Sequence, residues 1–280
     1  MFWKSTYNEF IKIAAKPRSY IGIGAITVIV GIILFAMYAD GKMFISLVTG
    51  PINQALSVEG NILNGNLIAF IILQMLIIHV PLLIALVTGD LISGEAAMGT
   101  IRLLLTKPIS RTGILFSKYL AGCAYTFVML LWLMILALVV GKMMFGTGDL
   151  MVLNSDGIIV LQQQDLPWRF ACGFSLAFLS MVMIATLSIT LSCFSENSIG
   201  PIVTTMAIII LFTIIGALNV PVLEPIQPYL FTNHMVAWRN FFEDPLPTGK
   251  ILKSIFILLI HIIGLLSIAV YKFNKKDILS

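Results

Sequence analysis

Charge is what this chain lacks most. Asp, Glu, Lys and Arg make up 11% of its 280 residues, against 59% hydrophobic, whereas about a quarter of a soluble domain is charged. So small a polar stock cannot cover a water-facing surface, and lipid must be the solvent for most of the chain. The motifs of several chemistries are missing too. No glycine-rich loop ends in Lys-Ser or Lys-Thr, which excludes ATP binding in the Walker manner. No His-Glu-x-x-His zinc pattern and no Gly-x-Ser-x-Gly elbow occurs. The three cysteines, Cys123, Cys172 and Cys193, fall inside apolar runs without metal or disulfide spacing and read as small apolar fillers. No basic cluster exceeds a few residues, so the net charge of +4 is not a nucleic-acid footprint.

What is present is six apolar runs, at 20–38, 67–88, 114–140, 170–194, 199–220 and 251–271. Each is close to the roughly 20 residues that carry a helix across the hydrocarbon core. Barrel strands would alternate apolar and polar residues, and these runs do not. The expected fold is therefore an all-α polytopic membrane protein, a single domain of six spans. The first run is too long for a signal peptide and lacks a small-residue cleavage site. Only Lys118 and Lys253 bring charge into the runs, near span ends where a lysine can snorkel. Without carboxylates in the spans, an ion-coupled transporter is disfavoured. An intramembrane enzyme lacks its paired acid and base.

With six spans both ends lie on one side. That side carries eleven of the Lys and Arg residues, among them Lys4, Lys12, Lys16, Arg18, Arg102, Lys107, Arg111 and Lys118, and the other side carries six. The positive-inside rule puts both termini in the cytoplasm, with the protein in the cell (inner) membrane.

Outside the spans, residues 2–16 repeat apolar side chains at helical spacing. Trp3, Tyr7, Phe10, Ile11 and Ala14 form one face, and Lys4, Asn8, Glu9, Lys12 and Lys16 the other. This predicts an amphipathic helix lying in the membrane interface. In the first span, Gly24 and Gly31 share a face that permits close helix approach. Residues 40–66 read as an external loop with a short helix near 51–58. In the second external segment, Met151 to Asn154 and Ile158 to Leu161 flank Ser155-Asp156-Gly157 as a small hairpin. Residues 195–198 form a tight connection, with Pro201 in the first turn of the next helix. Residues 221–250 hold five prolines yet also Tyr229, Phe231, Trp238, Phe241 and Phe242, a density that predicts short helices dipping into the outer interface. Gln74, His79 and His261 lie near mid-membrane. They could line a polar path, or the histidines could be satisfied locally, with Gln74 close enough to His79 for a small network.

The most informative segment is 89–111. It is polar, basic and glycine-punctuated between two apolar runs, and much longer than a turn needs. Asp90 stands at the inner end of the second span. Ser93 can cap a helix, with Glu95 in its first turn. Ile101, Leu104 and Leu105 make an apolar stripe, Arg102 and Lys107 a polar side, and Pro108 a stop. A short amphipathic helix on the cytoplasmic surface is expected.

The pattern Gly94-Glu95, Gly99-Thr100, Leu103-Leu104-Leu105, Pro108, Ser110-Arg111 and Lys118 resembles the permease family of type 2 ABC transporters. The order of elements is similar over essentially the whole chain. The resemblance implies a membrane subunit that is not itself an enzyme. It implies docking to two separate ATPase subunits, which bind the ATP and Mg, and pairing with a second permease copy or paralogue. It makes 89–111 the coupling loop, with Asp90, Glu95, Gly99, Thr100, Arg102, Pro108 and Arg111 at the ATPase contact. The N-terminal helix, through Trp3, Tyr7, Phe10 and Lys12, also reaches the ATPase. Spans one and five line the dimer interface, and short re-entrant helices precede span six. Transport is expected to be outward, of an unspecified cargo, along a path that could include Gln74, His79 and His261. No cofactor or metal is expected on this chain, and no nucleic acid. The alternative is an ABC-type permease in an assembly or maturation system, such as copper-reductase maturation or gliding and secretion machinery. There it would do mechanical work on a periplasmic partner.

Overall fold

The computed structural model describes residues 2–53, 62–100, 109–154, 157–218 and 220–276. Among these, helix α1 (Phe2–Ala15) turns at Lys16 into α2 (Pro17–Asn53). Next come α3 (Gly65–Thr88), α4 (Asp90–Ala97) and α5 (Arg111–Met134), whose axis continues through a π-helical stretch (Ile135–Val140) into α6 (Gly141–Phe145). A two-stranded hairpin, β1 (Leu150–Asn154) and β2 (Gly157–Leu161), leads to α7 (Leu166–Phe194) and α8 (Ile199–Ala217). A 3-10 turn (Gln227–Tyr229), α9 (Phe231–Met235) and a second 3-10 turn (Ala237–Phe242) precede α10 (Thr248–Lys275). Among the described residues, six helical stretches are long and apolar enough to cross a membrane: Pro17–Gly41, His79–Ala97, Arg111–Phe145, Leu166–Phe194, Ile199–Ala217 and Thr248–Lys275. The protein is a multi-pass, helical membrane protein.

Helix α7 is the hub. It is buried along most of its length and packs against α3, α4, α5, α8 and α10. Lipid gives no hydrophobic drive between helices, so close approach and polar contacts hold them together. The hub is built accordingly. Thr190 Oγ1 donates to the Thr186 carbonyl at 2.7 Å and to Leu265 of α10 at 3.1 Å. Thr186 faces the Tyr119 hydroxyl of α5 at 3.3 Å. A Cβ on Gly122 of α5 would meet Thr88, Leu91 and Ile189 at 3.3 Å each, so three helices converge on that glycine. By contrast, α2 and α8 leave Ile21, Val28, Ile32, Phe35, Val203 and Ile210 uncovered. In lipid these apolar faces carry no penalty.

Three expectations need revision. The segment 40–66 is not loop from Asp40 onward: α2 kinks at Asp40 (φ −130°, ψ 17°) and runs on to Asn53. The second span does not end at 88. Its helix bends at Gly89 and continues as α4, so the first half of the expected loop is a helical extension. The segment 221–250 is helical in short pieces, but its large aromatics point into the bundle. Trp238 and Phe242 are each 1% exposed. Phe242 stacks edge-on to Phe70 of α3 at 5.1 Å and to Phe170 of α7 at 4.9 Å. The segment plugs one end of the bundle, and only Tyr229 keeps a large exposed ring there.

The hairpin forms, with Met151 opposite Val160 and Asn154 opposite Gly157, so Gly157 belongs to β2 rather than to the expected three-residue connection. Gly157 takes φ +140°, which suits glycine at that turn. The start of α3 is knitted to the nearby turn. Asn64 caps the helix by accepting from the Asn66 and Leu67 amides, and its own Nδ2 donates to the Asp149 carbonyl at 2.8 Å.

Candidate functional site

Both chain ends meet at one face of the bundle. Arg111, at the start of α5, donates to the carbonyls of Asn274 and Lys276 at 3.0 and 2.9 Å, capping the last turn of α10 with a cation. Lys276 Nζ reaches the Ser195 carbonyl at 3.1 Å between α7 and α8. On the same face α1 lies against α5, where Ser117 Oγ is 3.3 Å from Ser5 Oγ.

A closed ring of charge forms between α1, α4 and α5. Lys12 Nζ lies 2.7 Å from Glu9 Oε1 and 2.8 Å from Glu95 Oε1. Lys118 Nζ lies 2.8 Å from Glu9 Oε2 and 2.7 Å from Glu95 Oε2. Its contact with Glu95 is an ion pair without hydrogen-bond alignment. Two carboxylates and two ammonium groups make the ring neutral, which is what permits it to be buried. The Lys118 side chain is 1% exposed, so it does not snorkel as its position near a span end predicts. It points inward and meets the two acids. Burial would push the Glu9 carboxyl up, but the neighbouring Lys118 and Lys12 ammonium groups hold it below the ordinary carboxylate value. Burial would pull Lys12 down, and its bonds to Glu9 and Glu95 hold it above the ordinary lysine value.

A second knot lies one helical turn earlier on α4. Asp90 accepts from Lys16 Nζ at 2.8 Å and from Arg18 at 3.0 Å. Both cations come from the α1–α2 corner, which Ser19 fixes by donating to the Ile13 carbonyl at 2.5 Å. Gly94 makes room for this knot, because a Cβ there would collide with the Asp90 carboxylate.

The N-terminus of α4 is capped from another helix. Ser192 Oγ of α7 accepts from the Ser93 amide at 2.8 Å and the Ile92 amide at 3.3 Å, and donates to the Gly89 carbonyl at 2.7 Å. Ser93 is thus not the cap. Its hydroxyl donates back to Gly89 at 2.7 Å. At the other end Gly99 takes φ +68°, the left-handed conformation that ends helices, while its amide reaches Ala96. Thr100 Oγ1 donates to the Glu95 carbonyl at 3.3 Å.

Of the residues singled out by sequence, Asp90, Glu95, Lys12, Gly99 and Thr100 come together here. Arg111 stands apart at the α10 terminus, and Arg102 and Pro108 lie outside the described residues. Asp90 and Glu95 are buried, so the surface that the described residues of this segment up to Thr100 offer is Ala97, Met98, Gly99 and Thr100. Trp3, Tyr7 and Phe10 lie on the outer side of α1, away from the ring. Sequence reasoning missed Ser192, and it assigned Glu9 and Lys118 to solvent and to snorkelling. Lys118, a charge inside an apolar run, was the available signal.

Gln74, His79 and His261 do not converge. His79 Nδ1 bonds the Met75 carbonyl of its own helix at 2.8 Å, and His261 Nδ1 the Ile257 carbonyl at 2.8 Å. Gln74 lines a cavity of about 500 Å³ at the opposite face, together with His234, Arg239, Glu243, Lys250 and Lys253.

Two comparisons with known proteins bear on the chain. It is 27% identical over 200 residues to the uncharacterized protein YhcI of Bacillus subtilis (strain 168), an alignment covering 69% of this chain and 63% of that relative's length. A family model described as a protein of unknown function, DUF2705, matches residues 25–279. That match runs from the first span to the tail behind α10, and the chain therefore belongs to the DUF2705 family.

Proposed function

We propose that this chain is the membrane-spanning permease subunit of an ATP-binding-cassette exporter. It pairs with a second copy or a paralogue and is driven by two separate ATPase subunits, which carry the ATP and Mg. The face that gathers both termini is cytoplasmic in this reading, in keeping with its excess of Lys and Arg. The weakly covered spans α2 and α8 supply the contact with the second permease copy.

One observation carries the reading: the ionic ring that fastens α1, α4 and α5 into a single block. A chain that carries no nucleotide motif must receive its energy through a contact. A push on Met98 to Thr100 is transmitted through α4 to α3, through Glu95 and Lys118 to α5, and through Glu95 and Lys12 to α1. The block moves as a rigid body rather than bending, which is how a small displacement at a surface becomes a tilt of spans. Glu95 is in this view a positioning residue, and the neighbouring exposed residues make the contact.

The test is ATP hydrolysis and cargo-stimulated turnover of the reconstituted complex of this chain with its ATPase. Glu95→Gln and Arg102→Ala are expected to leave basal hydrolysis in place and to break its link to transport. Normal coupling in both variants would overturn the assignment.

A further inference from the structure

The cavity at the face opposite the termini has no place in the energy pathway, and its chemistry is distinctive. Arg239, Lys250 and Lys253 line it, with Glu243 the one acid among them. Among the described residues none of these three cations has a carboxylate within 4.0 Å, since every ion pair found lies at the other face. Arg239 Nε is fully buried and without a hydrogen-bond partner. Lys250 and Lys253 sit in the first turns of α10, whose N-terminus has no side-chain cap. Its free amides add positive potential at the same place. The remaining wall is apolar, from Phe70 and Phe242 among others. Arg169 of α7 holds that wall in place by donating to the Phe241 and Glu243 carbonyls at 2.8 and 3.0 Å.

We infer that this cavity is a binding site for a phosphate ester, with the phosphate held by Arg239, Lys250 and Lys253 and a less polar portion against Phe70 and Phe242. Arginine's planar fork matches two phosphate oxygens, and the lysines supply point charges. A volume of about 500 Å³ lies within the usual range for small-molecule sites. The site stands independently of the permease reading.

Two sources carry this chemistry, a lipid headgroup and a soluble phosphate compound, and one experiment separates them. The full chain in a neutral detergent is heated with increasing inorganic phosphate, against chloride at equal ionic strength. In a second arm it is heated with added short-chain phosphatidylglycerol, against phosphatidylcholine. Saturable stabilisation is expected in at least one arm. Response to phosphate identifies a soluble ester, and response to phosphatidylglycerol alone identifies a lipid headgroup. Arg239→Gln is expected to weaken the response at least tenfold. Lys250→Gln/Lys253→Gln changes two exposed side chains, folds without difficulty, and is expected to do the same. Lys142→Gln, outside the cavity, leaves the response unchanged. Absence of stabilisation in both arms, or an undiminished response in the double lysine variant, overturns the inference.

Discussion

Replacing Lys118 by Met should weaken the protein and also reverse the sign of part of its pH dependence. The side chain is 1% exposed, with its ammonium 2.8 Å from Glu9 and 2.7 Å from Glu95. Met fills much of the same volume, so the loss is electrical: a neutral ring becomes one with a net charge of −1. Removing one partner of a buried ion pair costs about 3–5 kcal/mol. At roughly 2–4 °C per kcal/mol, the unfolding midpoint falls by on the order of 10 °C. The pH dependence discriminates this cause from mere misfit. In the wild type Glu9 is held below its ordinary value. Its stabilisation is then fully present above the unfolded-state value and is lost as pH falls through the folded one. Without Lys118 only Lys12 opposes burial, the largest single influence on Glu9, and the folded value is expected to rise above the unfolded one. Glu9 then contributes stability that is present at low pH and lost as pH rises through the new folded value. Thermal unfolding in detergent, at about pH 5 and about pH 7.5, reads both effects, because ordinary carboxylates titrate below that window. The variant should lie closer to wild type at the lower pH. Adding Glu9→Gln should recover part of the loss, because it removes the unpaired charge. A deficit that is equal at both pH values, with strictly additive double-variant behaviour, would refute the electrostatic account.

Other expectations can be checked in the same assay. Ser192→Ala leaves the Ile92 and Ser93 amides without their acceptor, and should cost about 1–2 kcal/mol, the range for losing a helix cap. Gly65→Ala places a Cβ within 2.6 Å of the Lys142 backbone. Backbone yields less readily than a side chain, so a loss of about 1–3 kcal/mol is expected. Trp238→Ala empties the centre of the aromatic plug against Phe70 and Phe242, with an expected loss of about 3–5 kcal/mol. The same change should leave the ionic ring intact, as judged by an unaltered pH dependence.

Much of the architecture was legible because apolar length and turn chemistry are local signals. The six runs, the hairpin of β1 and β2 and the two faces of α1 can each be read from a short window. What was not legible depends on partners distant in the chain. Asp90 looks like the water boundary of the second span until Lys16 and Arg18 are placed beside it. Glu9 lies on the polar face of α1, which predicts solvent, and only its approach to Lys118 of α5 reveals that this face is the packed one. The cap on α4 comes from Ser192, a hundred residues from Ile92. The aromatic richness of 221–250 was visible, but its direction was not. Phe70 and Phe170 decide that, by offering rings to Phe242 that lipid headgroups would otherwise replace.

The central claim is that energy reaches this chain through the exposed end of α4. Its most direct test is co-purification of an ABC-type ATPase with the tagged chain from its native host, for the wild type and for Met98→Arg. Met98 is 63% exposed and outside the ionic ring, so the substitution leaves the chain folded. The wild type should retain the ATPase through size-exclusion chromatography, and Met98→Arg should lose it at an unchanged unfolding midpoint. Failure of the wild type to hold an ATPase, or full retention by Met98→Arg, would contradict the claim.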